Sequence, residues 1–212
     1  MRDDDDFSPE EVWDEYDWER FLQQQDRNTE KYFSLLEKYM DHPNRDELIA
    51  NEMGWDESAD EPEFEEVAGL LCEQEDAPDE EEDNTFDEFA RSPIYKDTLR
   101  LHRWINSWIE QNEALRENPD AIELASRSAV CGAKLAAALC GDESAELGMT
   151  IAYLKRGLKA ANDALNAASR LAAAGHLTGR QPATVRRMIF RIRDRVVTLM
   201  SDYRAEWRKR HG

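Results

Sequence analysis

The sequence is poor in the residues that cross-link a chain or anchor it in a membrane. Among 212 residues there are three cysteines, Cys72, Cys131 and Cys140, with no Cys-x-x-Cys pair and no Cys/His cluster. This pattern excludes the disulfide frameworks of small secreted proteins and the common zinc sites. No apolar run approaches the roughly 20 residues of a membrane span. The start is acidic where a secretory signal is basic and then apolar. We therefore expect a cytoplasmic protein with reduced thiols.

Motifs that carry catalysis or hold a cofactor are also missing. The chain has no Gly-x-Ser-x-Gly elbow, no glycine-rich phosphate loop and no Glu-x-x-His pair of the kind that binds metal ions in helical bundles. Its four histidines are scattered, and Glu110, Glu113 and Glu117 fall off the apolar stripe of their predicted helix. We predict a non-enzymatic protein with no metal ion and no cofactor.

Charge is plentiful but unevenly placed along the chain. The net charge is −20, and 35% of the residues are charged. Residues 1–90 hold 34 acidic and 6 basic side chains, a net charge of −28. Residues 91–212 hold 13 acidic and 21 basic side chains, a net charge of +8. Such an asymmetry is typical of a chain that binds itself or carries a charged interaction arm.

One stretch, from Ser144 to Ala174, organises the predicted fold. Apolar side chains recur there every three or four residues, which places them on one face of a single long helix. They are Leu147, Ile151, Leu154, Leu158, Ala161, Leu165, Ala168 and Ala172. A helix of about 30 residues is roughly 45 Å long, and it needs partners of similar length to bury its stripe.

Three further amphipathic helices supply those partners. They begin at Ser92-Pro93, at Asn118-Pro119 and at Pro182, where a capping residue or a proline suits the first turn. The predicted stripe of the middle one comprises Ile122, Ala125, Ala129, Gly132, Ala136 and Leu139. Because this helix and the long one are rich in small residues, these two should pack most closely. We predict an all-α protein with an up-down four-helix bundle over residues 91–212.

An acidic arm precedes the predicted bundle. Residues 1–54 should form a helical arm, with a long helix from Pro9 to about Met40 and a short helix that ends at Gly54. Residues 55–90 should form an acidic linker with one short helix, since they include an unbroken run of acidic residues.

Residues 1–90 hold twelve of the nineteen aromatic residues in the chain. Disordered chains are usually poor in aromatics, so these side chains should either dock on the bundle or capture a partner. The predicted partner-binding residues are Trp13, Trp18, Phe21, Trp55 and Phe64. With its negative field, the arm should dock on the chain's own basic helix or on a basic partner protein. Exchange of arms between two copies would give a homodimer.

The last helix is basic and supports an alternative function, nucleic-acid binding. Residues 171–190 resemble the turn and recognition helix of helix-turn-helix regulators, through two glycines four positions apart and a Thr-Val-Arg-Arg helix start. Arg180 departs from that pattern, because the family has an apolar residue there. The resemblance implies that the start of the helix enters the DNA major groove. The nucleic-acid-binding residues under this alternative are Thr184, Arg186, Arg187, Arg191 and Arg195.

A second resemblance suggests a third function. Arg170 and His176, with five residues between them, resemble the Arg-x(4–6)-His motif of HEPN-type ribonucleases, which are also helical bundles. In that family the pair cleaves RNA phosphodiesters at a dimer interface. The intervening residues here are Leu-Ala-Ala-Ala-Gly, without the polar residues expected between the Arg and the His. We rank this function below the interaction module and the nucleic-acid binder.

Overall fold

A computed structural model describes residues 12–55, 91–140 and 146–211, and over these ranges it contains helices and links but no strand. The predicted all-α fold class is confirmed. The six α-helices of this part of the chain are α1 (Glu15–Lys38), α2 (Arg45–Met53), α3 (Pro93–Glu110), α4 (Pro119–Leu139), α5 (Leu147–Ala173) and α6 (Gln181–His211). A short 3₁₀ helix, Glu113–Leu115, follows α3. Most of the predicted acidic linker, including Phe64 and Cys72, lies outside the described residues.

Helices α3 to α6 pack in a closed ring. Each packs against its neighbours in the chain, and α6 also packs against α3. Neighbouring helices run in opposite directions. Gly132, late in α4, lies beside Thr98, early in α3, and Arg170, late in α5, pairs with Asp120, at the start of α4. This pairing is the one that an up-down four-helix bundle requires.

Local capping determines where two of these helices begin, as predicted. Ser92 Oγ accepts a hydrogen bond from the backbone N–H of Tyr95 at 3.2 Å. Asn118 Oδ1 accepts hydrogen bonds from the backbone N–H groups of Asp120 and Ala121. A proline follows each cap, at a position where a helix has no use for the missing N–H.

Helix α5 contributes most to the core. It packs against both α4 and α6, and its contact with α4 is the most extensive between described helices. Its buried residues form a wider set than the predicted single stripe, because neighbouring helices cover more than one face. They are Gly148, Thr150, Ile151, Ala152, Leu154, Gly157, Ala160, Ala161, Ala164, Ala167, Ala168 and Leu171. A Cβ at Gly157 would lie 3.3 Å from Leu135 of α4. The predicted close packing of these two helices is confirmed.

The buried face of α4 differs from the prediction by one position. The buried residues are Ala121, Leu124, Ser128, Cys131, Leu135 and Ala138. Ile122 is instead 51% exposed, so the stripe predicted through Ile122 and Ala125 was wrong. Most side chains of α4 are small and bury little apolar area, so their spacing does not show which face of the helix turns inward. Burial of two large side chains, Leu124 and Leu135, decides which face turns inward.

Helix α1 begins later than predicted. Asp14 caps it, because its Oδ1 accepts hydrogen bonds from the backbone N–H groups of Tyr16 and Asp17 at 2.7 and 2.9 Å. Asp17 Oδ2 in turn accepts from the N–H of Asp14 at 3.1 Å, which completes a capping box. The continuous helix predicted from Pro9 was therefore wrong at residues 12–14, since Asp14 satisfies the first donors at a later position.

The described residues fall into two compact units. Residues 12–19, 91–140 and 146–211 belong to the unit that contains the bundle, and residues 20–55 belong to the other. The boundary lies inside α1, between Glu19 and Arg20, whereas the sequence placed the end of the arm at residue 54.

The unit formed by residues 20–55 is held together around α2. The Glu52 carboxylate accepts hydrogen bonds from Lys38 Nζ at 2.7 Å and from the Tyr39 hydroxyl at 2.5 Å. Ile49 is 2% exposed. Helix α2 ends at Gly54, as predicted, and the φ angle of +74° there favours glycine over other residues.

Candidate interaction site

Residues 12–19, named here the docking segment, contact α5 and α6 at one end of the bundle. Helix α3 does not reach along all of α6. Asp97, early in α3, lies beside Arg195, and α6 continues from there to His211. That extension is about 24 Å long at 1.5 Å per residue. The docking segment lies against this extension and against the start of α5.

Glu15 joins the docking segment to both helices. Its carboxylate accepts hydrogen bonds from Arg204 Nε and Nη2 of α6, the shortest at 2.8 Å. It also lies 3.9 Å from Lys155 Nζ of α5. Because the Glu15 side chain is only 13% exposed, water screens these contacts less than it would at the surface. Lys155 lies over the ring of Tyr16, 4.5 Å from the centroid.

A second acidic residue repeats this pairing one helical turn later. Glu19 accepts hydrogen bonds from Arg156 Nε at 3.1 Å and from Arg156 Nη2 at 3.4 Å. Glu15 and Glu19 are four residues apart, so they lie on one face of α1. They meet two consecutive basic residues of α5, Lys155 and Arg156. The docking segment holds four acidic residues and no basic ones, and it therefore complements a basic surface.

Two tryptophans and a glycine form the apolar part of the site. The rings of Trp13 and Trp18 meet edge to face, with centroids 5.0 Å apart. The Trp18 indole N–H donates a hydrogen bond of 2.8 Å to Glu146, which precedes α5. A Cβ at the buried Gly148 would lie 2.5 Å from the Trp13 carbonyl oxygen and 3.0 Å from Trp18 Cδ1. Only glycine lets the docking segment approach α5 this closely. The surface formed by Gly148, Lys155, Arg156 and Arg204 is named here the groove.

The docking segment leaves part of this end of the bundle unfilled. A cleft of about 230 Å³ remains beside it, lined by Asp14, Glu15 and Tyr16 of the segment and by Ile151, Arg204, Trp207 and Arg208 of the bundle. The indole nitrogen of Trp207 is buried and has no hydrogen-bond partner among the described residues. An unpaired buried donor of this kind is unfavourable by about 1–3 kcal/mol. Contact between segment and bundle is therefore incomplete here.

The structure brings together two of the five predicted partner-binding residues, Trp13 and Trp18. Phe21 and Trp55 belong to the unit formed by residues 20–55, where they are 40% and 55% exposed. The ring of Trp55 lies 5.8 Å from that of Tyr32. Phe64 is outside the described residues.

Two of the basic residues predicted to bind nucleic acid contact a carboxylate inside the bundle. Arg191 and Arg195 lie 3.5 and 3.0 Å from the buried Asp97, and Arg100 lies 3.2 Å from it. Arg195 Nε approaches Asp97 Oδ2 without the alignment of a hydrogen bond, since that oxygen accepts none. The charge of these two residues is therefore partly balanced within the bundle.

The other three lie at the start of α6. Thr184 donates its hydroxyl to the carbonyl of Arg180 at 2.9 Å, and the Arg186 guanidinium lies 5.2 Å from the ring centroid of Phe190. Arg187 is exposed, and no partner is recorded for it among the described residues. These side chains face solvent rather than a buried carboxylate.

The geometry of α5 and α6 differs from that of a helix-turn-helix. Ile151, near the start of α5, and Trp207, near the end of α6, line the same cleft, so these helices are antiparallel along most of their length. The family resembled by residues 171–190 instead crosses two short helices at a wide angle. In this chain the link between α5 and α6 turns at Gly175 and Gly179, with φ angles of +79° and +58°.

Arg170 and His176, the pair that resembles a ribonuclease motif, have separate contacts. The Arg170 guanidinium pairs with Asp120 at 2.7 Å and with Glu123 at 2.5 Å. His176 Nε2 lies 3.4 Å from the amide nitrogen of Asn118. Arg170 thus pairs with two carboxylates of α4, and His176 lies beside the residue that caps the same helix.

Sequence analysis did not name Glu15 and Glu19 of the docking segment, or Gly148, Lys155 and Arg156 of α5, as members of the site. A Lys-Arg doublet, Lys155-Arg156, was visible between Leu154 and Leu158 of α5, and it is the kind of basic signal that could have suggested a partner for acidic side chains. No sequence signal pointed to Gly148, since a glycine near the start of a helix can occur for many reasons besides a close contact.

The two described cysteines are both free. Burial raises the pKa of the Cys131 thiol to about 12, because the thiolate is disfavoured away from water. In the described ranges no group of three or more His, Cys, Asp or Glu side chains is placed to hold a metal ion. None of the helices in those ranges is both long and apolar enough to cross a membrane.

Comparison with known proteins gives no relative: no protein-family model, no curated protein and no solved structure matches this chain. The docking segment and the groove are therefore the features from which a function can be argued.

Proposed function

We propose that this protein is a non-enzymatic interaction module whose docking segment alternates between the groove of its own chain and the basic surface of a partner protein. The observation that carries the proposal is Glu15, whose carboxylate joins Arg204 and Lys155. A surface that holds one acidic segment can release it to a competitor of matching chemistry. A cytoplasmic location, expected from the sequence, is part of the proposal.

The electrostatics favour such an exchange. Each contact of the segment with Lys155, Arg156 or Arg204 is between opposite charges, and attraction of this kind weakens with salt and with competing charges. A basic partner would compete for Glu15 and Glu19. Release would uncover three basic residues of α5 and α6 at once.

Exposure of the segment also favours release. Trp13 is 40% exposed and Tyr16 is 59% exposed, although both belong to the docking segment. The segment therefore keeps part of its apolar surface in water, and that part does not help to hold it in the groove, since the free energy gained scales with buried apolar area at about 25 cal/mol per Å². The aromatic side chains become available to a partner in the same step.

Heparin, used as a polyanion probe, tests whether the segment shields the groove. An undocked variant, Glu15→Gln, Trp18→Ser and Glu19→Gln in the full chain, should be retained at higher salt than the wild-type protein, because its groove is uncovered. The wild-type protein should flow through near about 0.15 M salt.

A composition-matched control is Glu30→Gln, Glu37→Gln and Trp55→Ser, which makes the same substitutions in the other unit. It changes the net charge by the same amount but leaves the groove covered. If the undocked and control variants elute at the same salt, the segment does not shield the groove and the proposal fails.

Exposure of Arg186 and Arg187 at the start of α6 favours nucleic-acid binding as a second candidate. Under that candidate the wild-type chain binds duplex DNA near about 0.15 M salt. The pair of substitutions Arg186→Gln and Arg187→Gln would abolish the binding. Under the first proposal the wild-type chain does not bind DNA at that salt.

A further inference from the structure

The docking segment indicates what the groove recognises. Its two tryptophans are five positions apart, and its two paired carboxylates, Glu15 and Glu19, are four positions apart on one helical face. The groove meets these features with Gly148 for the tryptophans and with Arg204, Lys155 and Arg156 for the carboxylates. The contact is therefore specific in both shape and charge.

Part of this contact involves backbone alone. The atom nearest to a Cβ built at Gly148 would be the Trp13 carbonyl oxygen, at 2.5 Å, followed by the Asp14 carbonyl carbon at 3.0 Å. Any chain that follows the same path presents those two atoms, whatever its side chains are. The groove can thus accept a segment that is not its own.

The fit of the internal segment leaves room for improvement. The cleft of about 230 Å³ lies between Tyr16 on the segment and Ile151 and Trp207 on the bundle, and Tyr16 is 59% exposed. Ile151 is already buried, at 2% exposed, whereas Trp207 is only partly buried. A segment with a larger apolar side chain at this point would therefore cover more of the Trp207 ring. Such a segment would displace the internal one, because both need the same groove.

We propose that the groove is a receptor for an acidic peptide segment of another protein, one that carries two aromatic side chains five positions apart. This inference rests on the proposed function, since the internal segment must leave first. The partner's segment pairs its carboxylates with Lys155, Arg156 and Arg204 and lays its backbone against Gly148. Two events would then occur together. The released docking segment binds a basic partner, and the vacated groove binds an acidic one.

A labelled peptide with the sequence of residues 12–20 tests the inference by fluorescence polarisation. Its binding to the undocked variant should saturate. Binding to the wild-type chain should be at least about tenfold weaker, because the internal segment competes at a high effective concentration. A scrambled peptide of the same composition keeps the charge and loses the spacing, so it should bind at least about tenfold more weakly than the ordered one.

The substitution Gly148→Ala in the undocked variant distinguishes binding in the groove from non-specific electrostatic attraction between the acidic peptide and the basic side chains. Its new Cβ would block the approach of the peptide backbone, and we expect binding to fall at least about tenfold. Alanine is a better helix former than glycine, so this loss would not reflect unfolding of α5, as circular dichroism would verify. Ala183→Val, at an exposed position of α6, should leave binding unchanged.

Two outcomes overturn the inference. Equal binding of the ordered and scrambled peptides would show attraction by charge alone, and unchanged binding to the Gly148→Ala variant would place the peptide elsewhere. Retention of the undocked variant on heparin without peptide binding would reject the receptor but leave the proposed function standing.

Discussion

Arg204 Nη2 donates a hydrogen bond of 2.8 Å to Glu15 Oε2, across a separation of 189 residues in the sequence. The pair joins the first turn of α1 to the last third of α6, and Lys155 adds a second positive charge from α5. Residues from the acidic end of the chain therefore belong to the same unit as the bundle. Part of the strong charge asymmetry of this protein is neutralised internally.

Glu15 and Arg204 should contribute to stability as one interaction. We expect Glu15→Gln and Arg204→Gln each to lower the free energy of unfolding by about 1 kcal/mol, since a partly buried charged hydrogen bond is lost. The double variant should lose less than the sum, with a coupling energy of about 1 kcal/mol. Urea denaturation of all four proteins measures this cycle.

The ion pair between Lys38 and Glu52 is the control for that cycle. Both of its side chains are largely exposed, at 56% and 42%, so its coupling should be smaller. Strictly additive losses for Glu15 and Arg204 would mean that the contact contributes nothing to the folded state.

Asp97 should be the most sensitive carboxylate in the bundle. It is 7% exposed and faces three arginines, so Asp97→Ala removes a charged hydrogen bond and the counterion that these arginines share. Because the arginine side chains remain 42% to 57% exposed, water screens the charges left behind, and we expect the free energy of unfolding to fall by about 1–2 kcal/mol. Asp194→Ala, at an exposed position of α6, should change it by less than about 0.5 kcal/mol. Equal effects of the two substitutions in urea denaturation would contradict this assignment.

Two neighbouring apolar residues of α4 should differ sharply in their contribution to stability. Leu124 is 0% exposed and Ile122 is 51% exposed. We expect Leu124→Ala to lower the free energy of unfolding by about 2–4 kcal/mol, through lost burial and a residual cavity. Ile122→Ala should lower it by less than about 1 kcal/mol. Thermal denaturation followed by circular dichroism measures both, and the reverse order would restore the stripe predicted from the sequence.

The stability of the fold should decline at alkaline pH through Cys131. Its folded-state pKa of about 12 lies above the value of 9.0 for an unperturbed thiol, so between these values the unfolded chain loses a proton that the folded chain keeps. The contribution of the Cys131 thiol to the free energy of unfolding is therefore fully present below about pH 9. It falls as the pH rises, by up to about 1.4 kcal/mol per pH unit.

Comparison of the wild-type protein with Cys131→Ala from pH 8 to 11 isolates that contribution, because other groups titrate equally in both. The two proteins should diverge steadily above about pH 9. Alkylation offers a second measurement: Cys140, which is partly exposed, should react with iodoacetamide at pH 8 before the buried Cys131 does. Parallel pH profiles together with rapid alkylation of Cys131 would contradict its burial.

Local sequence features predicted the helices well where capping is confined to a few residues. The starts of α3 and α4 follow from Ser92-Pro93 and Asn118-Pro119, and the end of α2 follows from Gly54. The start of α1 was misplaced because the sequence offers two capping residues six positions apart, Ser8 just before Pro9 and Asp14. Both satisfy the same local rule, so the rule alone could not choose between them.

The candidate site was predicted only in outline. The expectation that the acidic arm docks on a basic helix identified Trp13 and Trp18 but none of their contacts on α5. Long-range attraction between charges has no direction and does not select Arg204 over Arg195 or Arg191. Those two arginines lie beside Asp97 instead, which only the packing of α3 against α6 reveals.

The all-α class, the four long amphipathic helices and the opposite charges of the two ends follow from the order of the amino acids, since helical periodicity, caps and composition act within a few residues of the chain. Three further features depend on packing: which face of α4 is buried, which arginines lie beside Asp97, and the contacts of Glu15 and Glu19 with α5 and α6. These outcomes depend on how four helices fill one volume. The packing depends on the size and shape of side chains that are far apart in the sequence, and a local pattern does not contain that information.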